Sequence, residues 1–278
     1  MKPTWESDGY PTPKKIGPFG WLLVAVRGPA LALALTLGVI VKITIRMVEI
    51  PFFGINRPVS PYVTQITCKA GLLILGIRRR IIGSNMTDPG AFVANHVSWI
   101  DILTLNSSVR MYFVSKSEVE GWPLFGWLAK LTGTVFINRM PKEARKQKSI
   151  FENRLAAGHK LLFFPEGTST DGIRVLTFKS TLFAAFFNQK LREKISIQPV
   201  SVVYHAPFGE DSRFYGWWGN MGLGEHMLRM LAQPRHGHVK IVFHQPLKIS
   251  DYLDRKALAA AAEQAVRSGM PSECSGTD

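Results

Sequence analysis

Ala91-Phe92-Val93-Ala94-Asn95-His96-Val97-Ser98-Trp99-Ile100-Asp101 is the stretch on which the fold turns. Its first four residues form an apolar run that predicts a strand, and residues 99–105 predict a helix. A histidine on the passage between them is notable, because loops that follow parallel strands are where active sites sit in α/β sheets.

Outward from this segment the pattern repeats. Apolar or β-branched runs at 80–83, 91–94, 111–115, 134–138, 160–164, 195–204 and 239–243 predict strands. Helix-like stretches fall between most of them, at 99–105, 123–131, 142–157, 179–188 and 224–231, with 256–267 closing the series. This alternation predicts an α/β fold: a central, largely parallel mixed sheet of about seven strands flanked by helices. The domain is expected over residues 78–270, with a tail at 271–278.

Residues 1–77 read differently. A polar Gly/Pro-rich start carries Lys2, Lys14 and Lys15, and residues 20–41 are then mostly apolar. At about 1.5 Å per residue that run spans about 33 Å, enough to cross a bilayer. Arg27 can snorkel to one end, while Pro29 is expected to kink the helix or start a new one. Lys42 and Arg46 follow, so positive charge on both sides gives no polarity. A helical hairpin or partly inserted anchor and a single span both fit. Residues 60–77 predict an amphipathic helix with Val63, Ile66, Ala70, Leu73 and Ile77 near one face, ended by Arg78–Arg80. That basic triplet suits anionic headgroups or a solvated turn equally.

Composition narrows the partners. Of 278 residues, 46% are hydrophobic, which excludes a disordered chain, and the net charge of +14 points to anionic partners. No zinc-finger spacing, aromatic RNA-binding signature or long Lys/Arg arm supports nucleic acid. The basic residues flank apolar stretches instead, which favours a membrane surface. The two cysteines, Cys68 and Cys274, make no disulfide framework, and no metal-ligand cluster is visible.

Four blocks carry chemistry. In the first, activating a hydroxyl needs a general base within reach of it, and His96 suits that role. Asp101 on the other ring nitrogen would fix the tautomer. Residues five apart lie about 140° apart on a helix, so His96 must precede the helix, at a bend, for Asp101 to reach it. His205 and Glu210 repeat the spacing in a Pro/Gly-containing loop and read as incidental. The second block, Gly133-Thr134-Val135-Phe136-Ile137-Asn138-Arg139, is a strand ending in an arginine fork suited to phosphate or carboxylate. The third, Phe163-Phe164-Pro165-Glu166-Gly167-Thr168-Ser169, turns at Gly167 beside two hydroxyls that can cradle an anion, with Glu166 placed to hydrogen-bond an acceptor hydroxyl or to orient a neighbour. In the fourth, Pro199 inside the apolar run 195–204 marks an edge, bulge or loop.

Taken in order, these blocks resemble the glycerolipid acyltransferase superfamily, and most of all its bacterial 1-acyl-glycerol-3-phosphate acyltransferases. The resemblance covers roughly residues 60–250. It implies His96 as general base, Asp101 as its orienting partner and Arg139 on the acceptor's anion. Glu166, Gly167 and Thr168 would shape the acceptor site, Pro199 and the strand after it would border the donor side, and Lys116 and Lys179 would be further basic contacts. No cofactor is implied. The co-substrate would be acyl-CoA or acyl-ACP, and the acceptor a lysophospholipid such as 1-acyl-glycerol-3-phosphate, giving phosphatidic acid at the cytoplasmic face of a bacterial inner membrane. The same motifs fit a lyso-ornithine or other amino-acid lipid, with Arg139 then facing a carboxylate. A non-catalytic membrane lipid-binding protein is the remaining alternative. Without a Gly-x-Ser-x-Gly elbow, direct transfer is favoured over a covalent route through Ser98.

Overall fold

A computed structural model describes residues 5–7, 9–122, 125–137 and 144–271. Two helices come first. Helix α1 (Pro18–Phe53) starts on a proline, where the missing N–H costs nothing, and ends at Gly54 with φ 56°. Helix α2 (Ser60–Leu75) ends at Gly76, whose φ of 83° lets its own N–H and that of Ile77 fold back onto the Leu72 carbonyl. The α/β part follows as β1 (Arg78–Ile82), β2 (Gly90–Ala94), α3 (Ile100–Ser108), β3 (Tyr112–Lys116), α4 (Phe125–Thr132), β4 (Val135–Ile137), α5 (Ala144–Ala156), β5 (Leu161–Phe163), α6 (Gln189–Arg192), β6 (Ser196–His205), α7 (Leu223–Ala232), β7 (His238–Phe243), β8 (Leu247–Lys248) and α8 (Arg255–Ser268).

The strands form one mixed sheet in the order β1-β7-β6-β2-β5-β3-β4, with the two-residue β8 added beside β6. Pairings from β6 through β4 are parallel, and β6 meets β7 and β8 antiparallel. All five residues of β2 are buried, as expected for a central strand covered on both faces. Its alternation divides the core. Phe92 and Ala94 pack with Leu75, Ile100 and Met230 on one face; Ala91 and Val93 pack with Leu155, Phe186 and Val266 on the other.

Several expectations change. Pro29 does not start a new helix: the first helix runs for 36 residues with Pro29 and Pro51 inside it. The hairpin is made instead by α1 and α2. Glu49 Oε1 accepts the N–H groups of Val59 (2.7 Å) and Ser60 (2.8 Å), capping α2 from the neighbouring helix, and Lys42 donates to the Ser60 carbonyl at 3.3 Å. The stripe through Ile66 and Leu73 points away from the core, at 65% and 81% exposed; Cys68, Leu72 and Leu75 form the packed face. Together with Met47, Phe52 and Phe53 on α1, these side chains present a broad apolar surface. By length and composition α1 can cross a membrane, and only 11% of its most apolar window is buried.

Arg78–Arg80 do not end a helix; they open β1, an exposed edge strand whose charges discourage further pairing. Residues Ser180–Phe187 form a 3-10 rather than an α-helix, and its period of three places Phe183 and Phe186 together in the core. Pro199 sits in the interior strand β6, not at an edge. It faces the gap between β7 and β8: its carbonyl accepts from His244 N–H (3.0 Å), while Gln198 Nε2 donates to the His244 carbonyl (2.7 Å) that a non-proline N–H would otherwise face.

Candidate active site

Residues 95–99 make the passage from β2 to α3. Asn95 fixes its start. The buried amide donates to the Val202 carbonyl (2.9 Å) and accepts from the Val202 N–H (2.8 Å), extending the β2–β6 contact by a side chain. The main chain of His96 is then held on both sides. Its N–H donates to Glu166 Oε1 at 2.7 Å, and its carbonyl accepts from the N–H (2.9 Å) and hydroxyl (3.2 Å) of Thr170.

His96 lies before the helix and Asp101 in its first turn, so the chain bends and the two side chains meet. Nδ1–H donates to Asp101 Oδ2 at 2.7 Å. That bond puts the proton on Nδ1 and leaves the Nε2 lone pair as the reactive position. The imidazole is 23% exposed and stacks on Phe164 with centroids 4.0 Å apart and planes 10° from parallel. Its orientation is thus set by one ring face and one edge.

Asp101 is fully buried, and burying a carboxylate is costly unless donors surround it. Oδ2 also accepts from the N–H groups of Val97 (2.8 Å) and Ser98 (3.0 Å), and Oδ1 accepts from the Tyr204 hydroxyl (2.9 Å). Burial, then the charge of Asp101, holds the Tyr204 hydroxyl well above the usual phenol range, so it remains a donor. Thr104 Oγ1 lies 3.0 Å from the same hydroxyl. Ser98 is fully buried, with its Oγ 3.4 Å from the Ile100 N–H.

Glu166 orients its neighbours. It is 1% exposed, with Oε1 on His96 N–H and Oε2 on Leu176 N–H, each at 2.7 Å, so both oxygens hold the main chain under the site. Burial pushes its carboxyl up to about 8, opposed by those two N–H donors. Gly167 makes the turn above it with φ 75°, and its N–H donates to the Phe164 carbonyl (3.1 Å). Thr168, half-buried, follows on that turn. Lys179 reaches the turn through its backbone, donating to the Pro165 carbonyl at 3.0 Å. Lys116 ends β3, at the same end of the parallel strands as His96. Arg139 lies outside the described residues.

Sequence reasoning missed the bracing side chains Asn95, Phe164, Thr170 and Tyr204. It also missed Trp99, whose indole donates to His226 Nδ1 at 3.0 Å. The one available signal was Tyr204 itself, a phenol at the end of an otherwise apolar run. Among the described residues no group of three or more His, Cys, Asp or Glu side chains gathers to hold a metal ion.

An imidazole with a buried carboxylate on one nitrogen and an open lone pair on the other defines a site for activating a hydroxyl. The comparisons agree on the kind of transfer. The Acyltransferase family model matches residues 79–203. A lyso-ornithine lipid O-acyltransferase from Rhodobacter capsulatus is 50% identical over 269 residues, 97% of this chain and 98% of its own. A 1-acyl-sn-glycerol-3-phosphate acyltransferase from Neisseria gonorrhoeae is 28% identical over 63% of this chain and 66% of its own. The solved 1-acyl-sn-glycerophosphate acyltransferase PlsC of Thermotoga maritima shares the fold, with TM-score 0.56 at 20% identity over 88% of this chain and 96% of that one. The chain belongs to the glycerolipid acyltransferase superfamily. It is an acyltransferase acting on lysophospholipid-like acceptors.

Proposed function

We propose that the protein is a lyso-ornithine lipid O-acyltransferase, moving a fatty acyl group from an acyl-CoA or acyl-ACP thioester to the acceptor's hydroxyl. The observation that carries this reading is 50% identity to an enzyme of that name along 97% of the chain. Relatives named 1-acyl-sn-glycerol-3-phosphate acyltransferases match at 27–31% over 63–68% of the chain, which supports phosphatidic acid formation less strongly than the motifs alone suggest.

The chemistry rests on the dyad. His96 Nε2 takes the proton of the acceptor hydroxyl as its oxygen attacks the thioester carbonyl. Asp101 Oδ2, 2.7 Å from Nδ1, stabilises the imidazolium that forms. Collapse of the tetrahedral intermediate breaks the C–S bond, and the departing thiolate recovers the proton from His96. Direct transfer needs no cofactor. Arg139 would meet the ornithine carboxylate as an arginine fork meets any planar anion, with Thr168, Lys116 and Lys179 nearer the acceptor's remaining polar groups. The donors are made in the cytoplasm, so the apolar face of α1 and α2 would seat the protein on the cytoplasmic side of the inner membrane.

The test is an acceptor panel with purified protein in detergent. Acyl-ACP and acyl-CoA are offered with lyso-ornithine lipid, lysophosphatidate and glycerol-3-phosphate. Product from lyso-ornithine lipid supports the reading; product from lysophosphatidate alone overturns it.

A further inference from the structure

A second polar cavity lies at the opposite end of the sheet from His96. It encloses about 510 Å³ between the α1–α2 turn and the starts of β3 and β5, and its lining includes Arg57, Tyr62, Arg110, Tyr112, His159 and Lys160. Tyr112 and Leu161 are register partners at those strand starts, and Leu161 pairs in turn with Ala91. His96 lies five residues beyond Ala91 along the parallel direction, about 16 Å away. Neither this cavity nor one of about 240 Å³ between Tyr10 and α7 includes the catalytic imidazole.

The cavity's charge is one-sided and incompletely matched. Arg57 and Arg154 both lie over the Tyr112 ring, with the guanidinium carbons 5.6 and 4.3 Å from its centroid. Arg57 Nε and Nη1, Arg154 Nε and both ring nitrogens of His159 are buried without hydrogen-bond partners, and His159 is only 7% exposed. Of the neighbouring carboxylates, Glu49 is already engaged by the Val59 and Ser60 N–H groups and by Arg46, and Asp88 acts on Lys160 alone among the cavity's cations. Burial first, then the charge of Arg46 on Arg57 and of Arg57 on Arg154, holds both guanidinium groups below their usual range. Donors that are buried, cationic and unpaired are unfavourable unless an anion completes them. Arg57, Arg110 and Lys160, which also donates to the Met86 carbonyl, line one cavity and make a donor set of the kind that phosphate oxygens take up.

We propose that this cavity binds a phosphate-bearing anion at a site separate from the catalytic centre, and that the headgroup of an anionic membrane phospholipid is its source. The surroundings favour that source over a soluble phosphate. Tyr62, 48% exposed, lines the cavity together with Pro58, and the segment leading into it carries the exposed apolar side chains of Phe52, Phe53, Ile55 and Val59. A lipid seated there would place its phosphate on the arginines and its chains along that surface, fastening the helical hairpin to the sheet. The proposal does not depend on which lysolipid is acylated.

The test uses the full chain in a zwitterionic detergent and reads the shift of thermal unfolding with ligand. The probes are short-chain phosphatidylglycerol, short-chain phosphatidylcholine and inorganic phosphate, each given to wild type, Arg57→Gln, Arg110→Gln/Lys160→Gln and His96→Ala. The expected result is saturable stabilisation by phosphatidylglycerol, at least tenfold tighter than by phosphatidylcholine. That affinity should fall at least tenfold in the cavity variants and stay unchanged in His96→Ala. Arg110 is exposed, and neither it nor Lys160 has the buried, unpartnered guanidinium atoms of Arg57, so their double variant keeps the test valid if Arg57→Gln folds poorly. Equal or tighter binding of inorganic phosphate, lost in the same variants, would keep the anion site and overturn the lipid source. Binding by no probe, or binding that the cavity variants retain, would overturn the site.

Discussion

Tyr204, near the end of β6, donates its hydroxyl at 2.9 Å to Asp101 Oδ1, the oxygen that does not hold His96. The dyad is therefore braced from a strand 103 residues further along the chain. Tyr204→Phe removes that donor and leaves a fully buried carboxylate oxygen without its partner. The expected cost is about 1–3 kcal/mol of stability and about a tenfold loss of kcat/KM, with KM for the acceptor unchanged. Unchanged kcat/KM would show that the strand does not tension the dyad.

Glu166 acts through the main chain of His96. Glu166→Ala leaves two buried N–H groups, of His96 and Leu176, without acceptors. Stability should fall by about 2–6 kcal/mol, read by denaturant midpoint. The catalytic loss should appear in kcat, since both Glu166 oxygens are taken by main-chain N–H groups. A variant that raised only the acceptor KM would return Glu166 to the binding surface.

His226 links pH to the site. Burial first holds its imidazole down to about 4, and its Nδ1 accepts from the Trp99 indole. A histidine whose folded pKa is depressed below the usual 6.5 binds fewer protons folded than unfolded. The native state therefore loses stability as pH falls from about 6.5 towards 4. His159 and His236, held down to about 4 chiefly by burial, add to the same slope. Unfolding free energy measured at intervals from pH 7 to 4 should decline less steeply in His226→Phe. Parallel curves would contradict the assignment.

Gly38 sets how closely α1 and α2 approach. A Cβ there would overlap the Thr67 side chain of α2. Gly38→Leu should spread the hairpin, reduce the fraction of protein recovered with membranes and lower thermal stability, while Gly28→Leu, with nothing near its Cβ, should do neither. Equal behaviour of the two variants would mean the hairpin is not closely packed there.

How much of this was legible follows from the range of each interaction. Strands and helices of the α/β part announce themselves by local period, and the meeting of His96 with Asp101 follows from five residues and a bend. Features that depend on distant segments do not. Arg78–Arg80 read as a helix end because nothing local shows that β7 lies beside them. Pro199 reads as an edge because its missing N–H is tolerated only through the gap between β7 and β8, completed by Gln198. The stripe through Ile66 and Leu73 has the period of a buried face, but an apolar face looks the same in sequence whether a core or a membrane covers it. Tyr204 and Thr170 reach the site only after folding, across 103 and 74 residues.

The most direct measurement is a one-tube competition. Purified wild type and His96→Ala receive labelled acyl-ACP with equimolar lyso-ornithine lipid and lysophosphatidate, and the two products are resolved by mass. The expected result is wild-type product on lyso-ornithine lipid in at least tenfold excess, with both products reduced about 10²–10⁴-fold in His96→Ala. Wild-type product mainly on lysophosphatidate, or undiminished transfer by His96→Ala, would contradict it.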